Sequence, residues 1–377
     1  MSYLKKVNTI RKKEIKAALK VLKSGNLSGF NAGYSPSFYG GKEVRQFEDK
    51  ICNKFGTRNA IAVNSWTSGL IIAVASLDLP KGTEVICSSW GMSATVAAIV
   101  HSGLVPVFAD IDTDTFSLTK QSIERKITNN TSAIIITEMY GYPSDIMPIL
   151  DLADKYGLVT ISDTAQTIGA KYHDRYAGTL TDIGGFSFNW NKHIHCGEGG
   201  VVITNNAELA QKMRLLRNHS EGTFHKVFPN FRNHMGYNFR MNEIEAAILS
   251  VSLDKTLKKE IKRRTRIVEN FIDNLNPEVC SIPKPKKGIN SVWCHCPILY
   301  KDTNTRDKVH QKLLNNNYSS NTTFSRGPLH LLPAFANYDG SNLVITESLD
   351  KTLLDFDLSF SYTKRELRKI IKILNNT

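Results

Sequence analysis

Two side chains set the chemistry open to this chain: the carboxylate of Asp163 and the amine of Lys192. Gln166, Gly169 and Ser187 lie between them, and the GEGG turn ending at Gly200 follows. The residues before Asp163, LVTIS, read as a buried strand, so the carboxylate emerges at a strand's carboxyl end, where open α/β sheets keep their ligand crevices. A second apolar stretch, IGGFSF, delivers Ser187 and then Lys192 to the same rim, and the glycines beyond allow sharp turns and close backbone approach. Such a pair suits pyridoxal phosphate. The amine forms a Schiff base with the cofactor's aldehyde, and the carboxylate keeps the pyridine nitrogen protonated so that the ring can accept carbanion charge. A lone lysine in a turn is more often a solvated charge, and a lone aspartate at a strand end a cap or turn residue. The ordered combination carries the reading.

The segments SDTAQTIGA, FSFNWNK and GEGG resemble the DegT-type (DegT/DnrJ/StrS) sugar aminotransferases, a branch of the fold type I enzymes that use pyridoxal phosphate. The resemblance extends over nearly the whole chain. It implies an α/β fold with a mostly parallel seven-stranded sheet in a large cofactor-binding domain, residues 1–250 with an N-terminal helix, and a smaller α+β domain over 251–377. It further implies that Lys192 is the Schiff-base lysine and general acid and base, Asp163 the partner of the pyridine nitrogen, Gln166 a neighbour of the 3-hydroxyl, and Ser187 a phosphate ligand.

The elements that must position these groups are legible in order. Apolar residues at helical spacing predict a helix over 9–23, ended by Gly25, and a second helix from about Lys42. The intervening glycine- and aromatic-rich loop borders the active site in the family, which makes Tyr39 a candidate substrate contact. After the strand AIAVN, Ser65-Trp66-Thr67-Ser68-Gly69 opens a helix, where free backbone N–H groups and the helix dipole suit a phosphate. The resemblance assigns Ser65, Trp66 and Thr67 to the phosphate, although Trp66 stands where the family usually has glycine. The segment EVICSSWGMSAT reads as strand, turn and helix. In the family an aromatic side chain after this strand covers the pyridine ring; Trp90 and Met92 are the two candidates, Trp90 by a changed loop path and Met92 through its sulfur, with Trp90 preferred. Alternating helices and strands follow, over 119–126, SAIIITEM, 145–156 and LVTIS, as crossover connections of a parallel sheet require.

Past Gly200, GYNFRMNEIEAAIL matches a family segment preceding a long helix, which implies that Asn238 reaches the cofactor phosphate of a partner subunit in a homodimer. The last part of the chain reads as helix, strand VWCHCPIL, helix TRDKVHQKLLNN, a loop and a lysine-rich helix. Its loop TTFSRGPLHLLPAF resembles the substrate-facing loop, with Arg326 and His330 as candidate contacts. His193, beside the lysine, is a further substrate candidate.

Composition excludes several classes. Hydrophobic residues make up 41% and charged residues 22% of 377, ordinary globular usage with nothing to suggest disorder. Charges interrupt the apolar positions of the first segment, unlike a signal peptide, and no apolar run is long enough to span a bilayer. Six scattered cysteines fit buried thiols of a cytoplasmic protein. Cys294-His295-Cys296 alternates across a strand, with no second pair to complete a zinc site, so no metal is expected. Gly41-Lys42 lacks the earlier glycine of a P-loop, and no GxGxxG follows a strand. The net charge of +13 comes without a nucleic-acid-binding motif; part of it can steer an anionic cofactor and substrate.

The resemblance thus implies an aminotransferase that takes an amino group from L-glutamate and gives it to an anionic keto sugar. That acceptor is either nucleotide-linked or an oxidised sugar acid such as 8-oxo-Kdo, for lipopolysaccharide or another bacterial surface polysaccharide. Two alternatives are a dehydratase of the same family, in which histidine replaces the lysine, through a register that substitutes His193, and a non-catalytic regulatory homologue.

Overall fold

The computed structural model describes residues 5–33, 35–220 and 235–376. Strands β1 (Asn59–Val63), β2 (Glu84–Ser88), β3 (Val105–Ala109), β4 (Thr131–Thr137) and β5 (Val159–Asp163) come first, then the two-residue β6 (Lys171–Tyr172) and β7 (Arg175–Tyr176), then β8 (Ile183–Ser187) and β9 (Gly200–Thr204). Seven of them form one sheet in the order β1-β9-β8-β5-β4-β2-β3. Only β9 runs against its neighbours, pairing antiparallel with β1 and β8, and every other pairing is parallel. The mostly parallel seven-stranded sheet expected from the resemblance is therefore present.

The strand alternation shows why helices flank both faces. Ala133 and Ile135 of β4 join Val85 and Cys87 of β2 in one apolar cluster, whereas Ile134 and Ile136 join Ile86 in another. Successive side chains of a strand point to opposite faces, so both faces are dry, as a parallel sheet with crossover helices requires.

A second sheet follows, built from β10 (Cys280–Ser281), β12 (Cys296–Tyr300), β13 (Ser320–Asn321) and β14 (Leu353–Phe356), all antiparallel in the order β10-β12-β14-β13. Helices Lys255–Asn274, Thr303–Asn315 and Lys364–Leu374 close its core through Phe271, Leu313 and Ile370. The two-residue β11 (Ile289–Asn290) pairs with β6. The turn after β4 and the segment before β12 are joined by backbone bonds, Cys294 N to Tyr140 O at 2.7 Å and Val292 N to Gly141 O at 2.9 Å. Gly141 permits this contact: its φ is +86°, and a Cβ there would fall 2.5 Å from the amide nitrogens of Trp293 and Cys294.

One buried ion pair locks the edge strand β1. Arg217 Nη1 reaches Glu48 Oε1 at 2.7 Å and the Ala62 carbonyl at 3.0 Å, while the Ala62 amide donates to the same carboxylate at 2.8 Å. Arg217 is completely buried. Removing one partner leaves the other charge unpaired in the core, which costs about 3–5 kcal/mol. Glu48→Ala is therefore expected to lower unfolding stability by about that amount in a urea melt. A loss under about 1 kcal/mol would show that the pair is a bystander.

Candidate active site

The carboxyl ends of β4, β5 and β8 open onto one cavity of about 360 Å³. Asp163, the last residue of β5, is almost fully buried there. Its carboxylate takes three donors: Trp66 Nε1 at 2.7 Å and the Ala165 amide at 3.3 Å on Oδ1, and Thr95 Oγ1 at 2.6 Å on Oδ2. A buried carboxylate without such partners would be strongly disfavoured, so the three donors both stabilise it and fix its direction.

Lys192 is carried on the loop of the β8–β9 hairpin. Bonds from Phe188 N to Gly199 O (2.8 Å) and Lys192 N to Asn189 O (2.9 Å), with Asn189 Nδ2 on Glu198 at 2.8 Å, close that loop on itself. Ser187, at the end of β8, and Lys192 both line the cavity. So do Gln166, Ser65, Trp66, Thr67 and Met92. Gln166 gives its carbonyl to the Tyr140 amide at 2.8 Å. Ser65 caps the helix Trp66–Ser76 by accepting the Ser68 amide, which leaves the first turn's remaining amides directed at the cavity.

The tryptophan in the usual place of glycine is accommodated by its surroundings. Its indole lies 4% exposed beneath the cavity. A Cβ at Gly185 would collide with the ring, and one at Gly69 would stand 2.8 Å from it. Gly200 packs on the Trp66 backbone just as closely. Two glycines thus make room for the side chain and a third for its backbone, and the indole N–H becomes a ligand of Asp163.

Other expected contacts fall elsewhere. Trp90, the preferred ring cover, is 1% exposed, and its Nε1 donates to the Tyr140 hydroxyl at 3.1 Å. It lies outside the cavity, and Met92, half exposed, is the one that lines it. The loop keeps its path because Trp90 is held in the cluster of Phe116, Met139 and Tyr140. His193 is fully buried with Nε2 2.9 Å from the Val292 carbonyl, and burial pushes its imidazole well below the ordinary range. The register slip that would have put His193 in place of Lys192 is therefore contradicted. His330 is occupied by Ser89 at 2.7 Å and Glu347 at 3.4 Å, outside the cavity. Arg326 is exposed, and Tyr39 packs under the Arg214 guanidinium; neither lines the cavity. Asn238 is exposed, accepts Arg240 Nε at 2.8 Å, and does not reach this chain's own cavity.

The sequence reading missed Thr95, Glu138, His295 and Asp355. Glu138 follows β4 at the carboxyl end of a strand, the same signal that identified Asp163. Thr167 and Ser144 donate to its oxygens at 2.9 and 3.3 Å, yet burial, with the nearby Asp163 charge, pushes its carboxyl up to about 7. His295 comes from the CHC segment of the second sheet. Its Nδ1 lies 3.2 Å from Asp355 Oδ2, and both residues line the cavity opposite Lys192.

The residues fit pyridoxal phosphate. Asp163 meets the need for a buried carboxylate, the amides of Trp66 and Thr67 with Ser187 would hold the phosphate, and Lys192 supplies the amine. When bound, the cofactor supplies an electron-accepting ring and a carbonyl that exchanges amines. With it bound, Asp163 would hold a proton at the ring nitrogen, Gln166 would orient the ring's oxygen edge, and Lys192 Nζ would be placed to hold or move a proton beside the donor.

Comparison with known proteins agrees with this geometry. The model of the DegT/DnrJ/EryC1/StrS aminotransferase family matches residues 9–375, and the chain belongs to that family. GDP-perosamine synthase of Caulobacter vibrioides is 31% identical over 89% of this chain and 90% of its own. The UDP-N-acetyl-3-dehydro-α-D-glucosamine 3-aminotransferase of Acidithiobacillus ferrooxidans is also 31% identical, over 90% of each chain. A crystal structure of a family aminotransferase from Brucella abortus superposes with a TM-score of 0.84 at 26% identity, covering 97% of this chain and 95% of that one. The protein is a pyridoxal-phosphate-dependent sugar aminotransferase of fold type I.

Two outcomes test the site's physics. In an unfolded chain a glutamate titrates near 4.5, whereas folded Glu138 holds its proton to about 7. Its contribution is therefore fully present below 4.5 and lost as pH rises to 7, a change on the order of 3 kcal/mol. Urea midpoints of Glu138→Gln are expected to lack this part of the decline; parallel pH profiles for variant and parent would refute it. Trp66→Phe keeps the ring beneath Gly185 but removes one donor from Asp163, and cofactor affinity measured by equilibrium dialysis is expected to fall about tenfold.

Proposed function

We propose that the enzyme transfers the amino group of L-glutamate to a nucleotide-linked keto sugar in the cytoplasm, for a bacterial surface polysaccharide or lipopolysaccharide. The observation that carries it is the single cavity on which Lys192 and Asp163 of the large sheet face His295, Asn321 and Ser325 of the second sheet. One side suits the cofactor, and the other leaves polar groups for a substrate. The two relatives named for GDP- and UDP-linked sugars support the nucleotide handle. No described helix is long and apolar enough to cross a membrane. We place the division between the domains near residue 250, and assign the phosphate contact of Asn238 to a partner subunit's cavity, so that a homodimer shares its active sites. That assignment fits the exposure of Asn238 on its own chain.

The test is spectroscopic. L-glutamate should shift the cofactor's absorbance band in the purified protein to shorter wavelength, and Lys192→Ala should fail to show the shift. The aminated form is then offered a GDP-4-keto sugar, a UDP-3-keto sugar and 8-oxo-Kdo. Return of the original band with a nucleotide-linked sugar alone is the expected result. Return with 8-oxo-Kdo alone would replace the nucleotide sugar by the sugar acid, and a monomeric mass with full activity in sedimentation would sink the shared site.

A further inference from the structure

We propose that His295, set against Asp355, binds a carboxylate of the amino donor. This rests on the aminotransferase reading of the cavity and adds a residue that recognises the first substrate. Among the described residues lining the cavity, Lys192 and His295 are the only ones able to carry positive charge. The lysine amine is committed to the cofactor. An amino acid whose nitrogen displaces Lys192 carries its carboxylate one carbon away, so an anion must come to rest a few ångströms from the lysine, in a space from which water is largely withdrawn. Left without a partner there, it would be costly.

The fold brings the two cationic side chains to one brace. Arg264, 3% exposed on helix Lys255–Asn274, donates to the carbonyls of Cys294 and Asn191. Those are the residues just before His295 and Lys192, so one guanidinium spaces the imidazole and the amine. Asp355 approaches from β14, 2% exposed, with its Oδ1 bound by nothing in the described structure. A buried carboxylate that spends no bond on the scaffold but stands 3.2 Å from His295 has one evident use, to keep that ring positive.

The charged and titratable groups around His295 are Asp355, the Cys294 thiol beside it, Tyr140 behind Asp355, Arg264 and Lys192. Burial alone would lower the imidazole, but Asp355 reverses this and lifts it to about 10. The ring is thus cationic throughout the range in which the enzyme would work. His295 is the binding group in this scheme, and Asp355 a positioning residue.

The experiment measures the L-glutamate concentration that half-completes the absorbance change of the holoenzyme. The response of the parent protein is read first: no response would refute the aminotransferase reading with glutamate, and leave the variants beside the point. Given a response, His295→Asn is expected to raise the half-saturating concentration at least about tenfold, with the limiting rate changed by less than about threefold. Glutarate, a dicarboxylate that cannot react, should lose competition in the same proportion. Asp355→Asn leaves burial unopposed, so the imidazole falls toward or below its ordinary value of about 6.5. Its half-saturation relative to the parent is expected to be smallest at the acid end of the range and to climb about tenfold by pH 8.5. An unchanged half-saturation in His295→Asn overturns the proposal. So does a pH-independent loss of rate and affinity together in Asp355→Asn, which would mark a structural pair. Should His295→Asn fail to hold cofactor, the pH profile of Asp355→Asn decides alone.

Discussion

A carboxylate buried at the end of β5 is the constraint from which the rest of the site follows. Asp163 is almost fully buried, and a carboxylate withdrawn from water is tolerated only with donors around it. The donors come from three separate elements: the indole at the start of one helix, a hydroxyl near the start of another, and the backbone two residues on. Each donor imposes its own requirement. The indole must lie beneath the cavity, so Gly69 and Gly185 cannot carry side chains. Thr95 must face inward, so helix Ser93–His101 starts where it does. The helix that begins with Trp66 is thereby anchored with its first residues at the cavity.

This coupling explains what was legible in the sequence. The sheet could be read from alternation, because strands buried on both faces are continuous apolar runs and the helices between them repeat at helical spacing. Asp163 and Lys192 were legible because both stand where apolar strands end and because few pairs of residue types suit that cofactor. Glu138 carried the same strand-end signal, after SAIIIT, and was passed over for want of a role. What no local pattern reveals is direction. Trp90 and Met92 are two residues apart on one turn, and the hydroxyl of Tyr140, from the turn after β4, with the apolar cluster around it decides that Trp90 turns into the core. His193 and Lys192 are adjacent, yet the Val292 carbonyl draws the histidine away.

The second sheet was read correctly as α+β, but its bearing on the site was not. In the CHC segment the strand begins only at Cys296, with Cys294 and His295 in the bend before it, so the expected strand alternation does not run through the three and cannot say that His295 faces the cavity that Lys192 lines. That follows from the backbone junction at Gly141, where the turn after β4 accepts the segment before β12 at van der Waals distance. A glycine in the large sheet's loop therefore determines where a histidine of the second sheet points.

The division of charge across the cavity follows from the same geometry. The large sheet supplies Asp163, held by its donors, and Glu138, kept protonated by burial to about pH 7. Two ionised carboxylates in one dry wall would repel each other, and the second proton relieves that. The opposite wall carries the imidazole with its own buried counter-ion. Among the described residues lining the cavity, Lys192 and His295 are the groups able to carry positive charge for an anionic ligand. The surplus of lysine and arginine over acidic residues, +13 for the whole chain, attracts anions toward the entrance without fixing which one is retained.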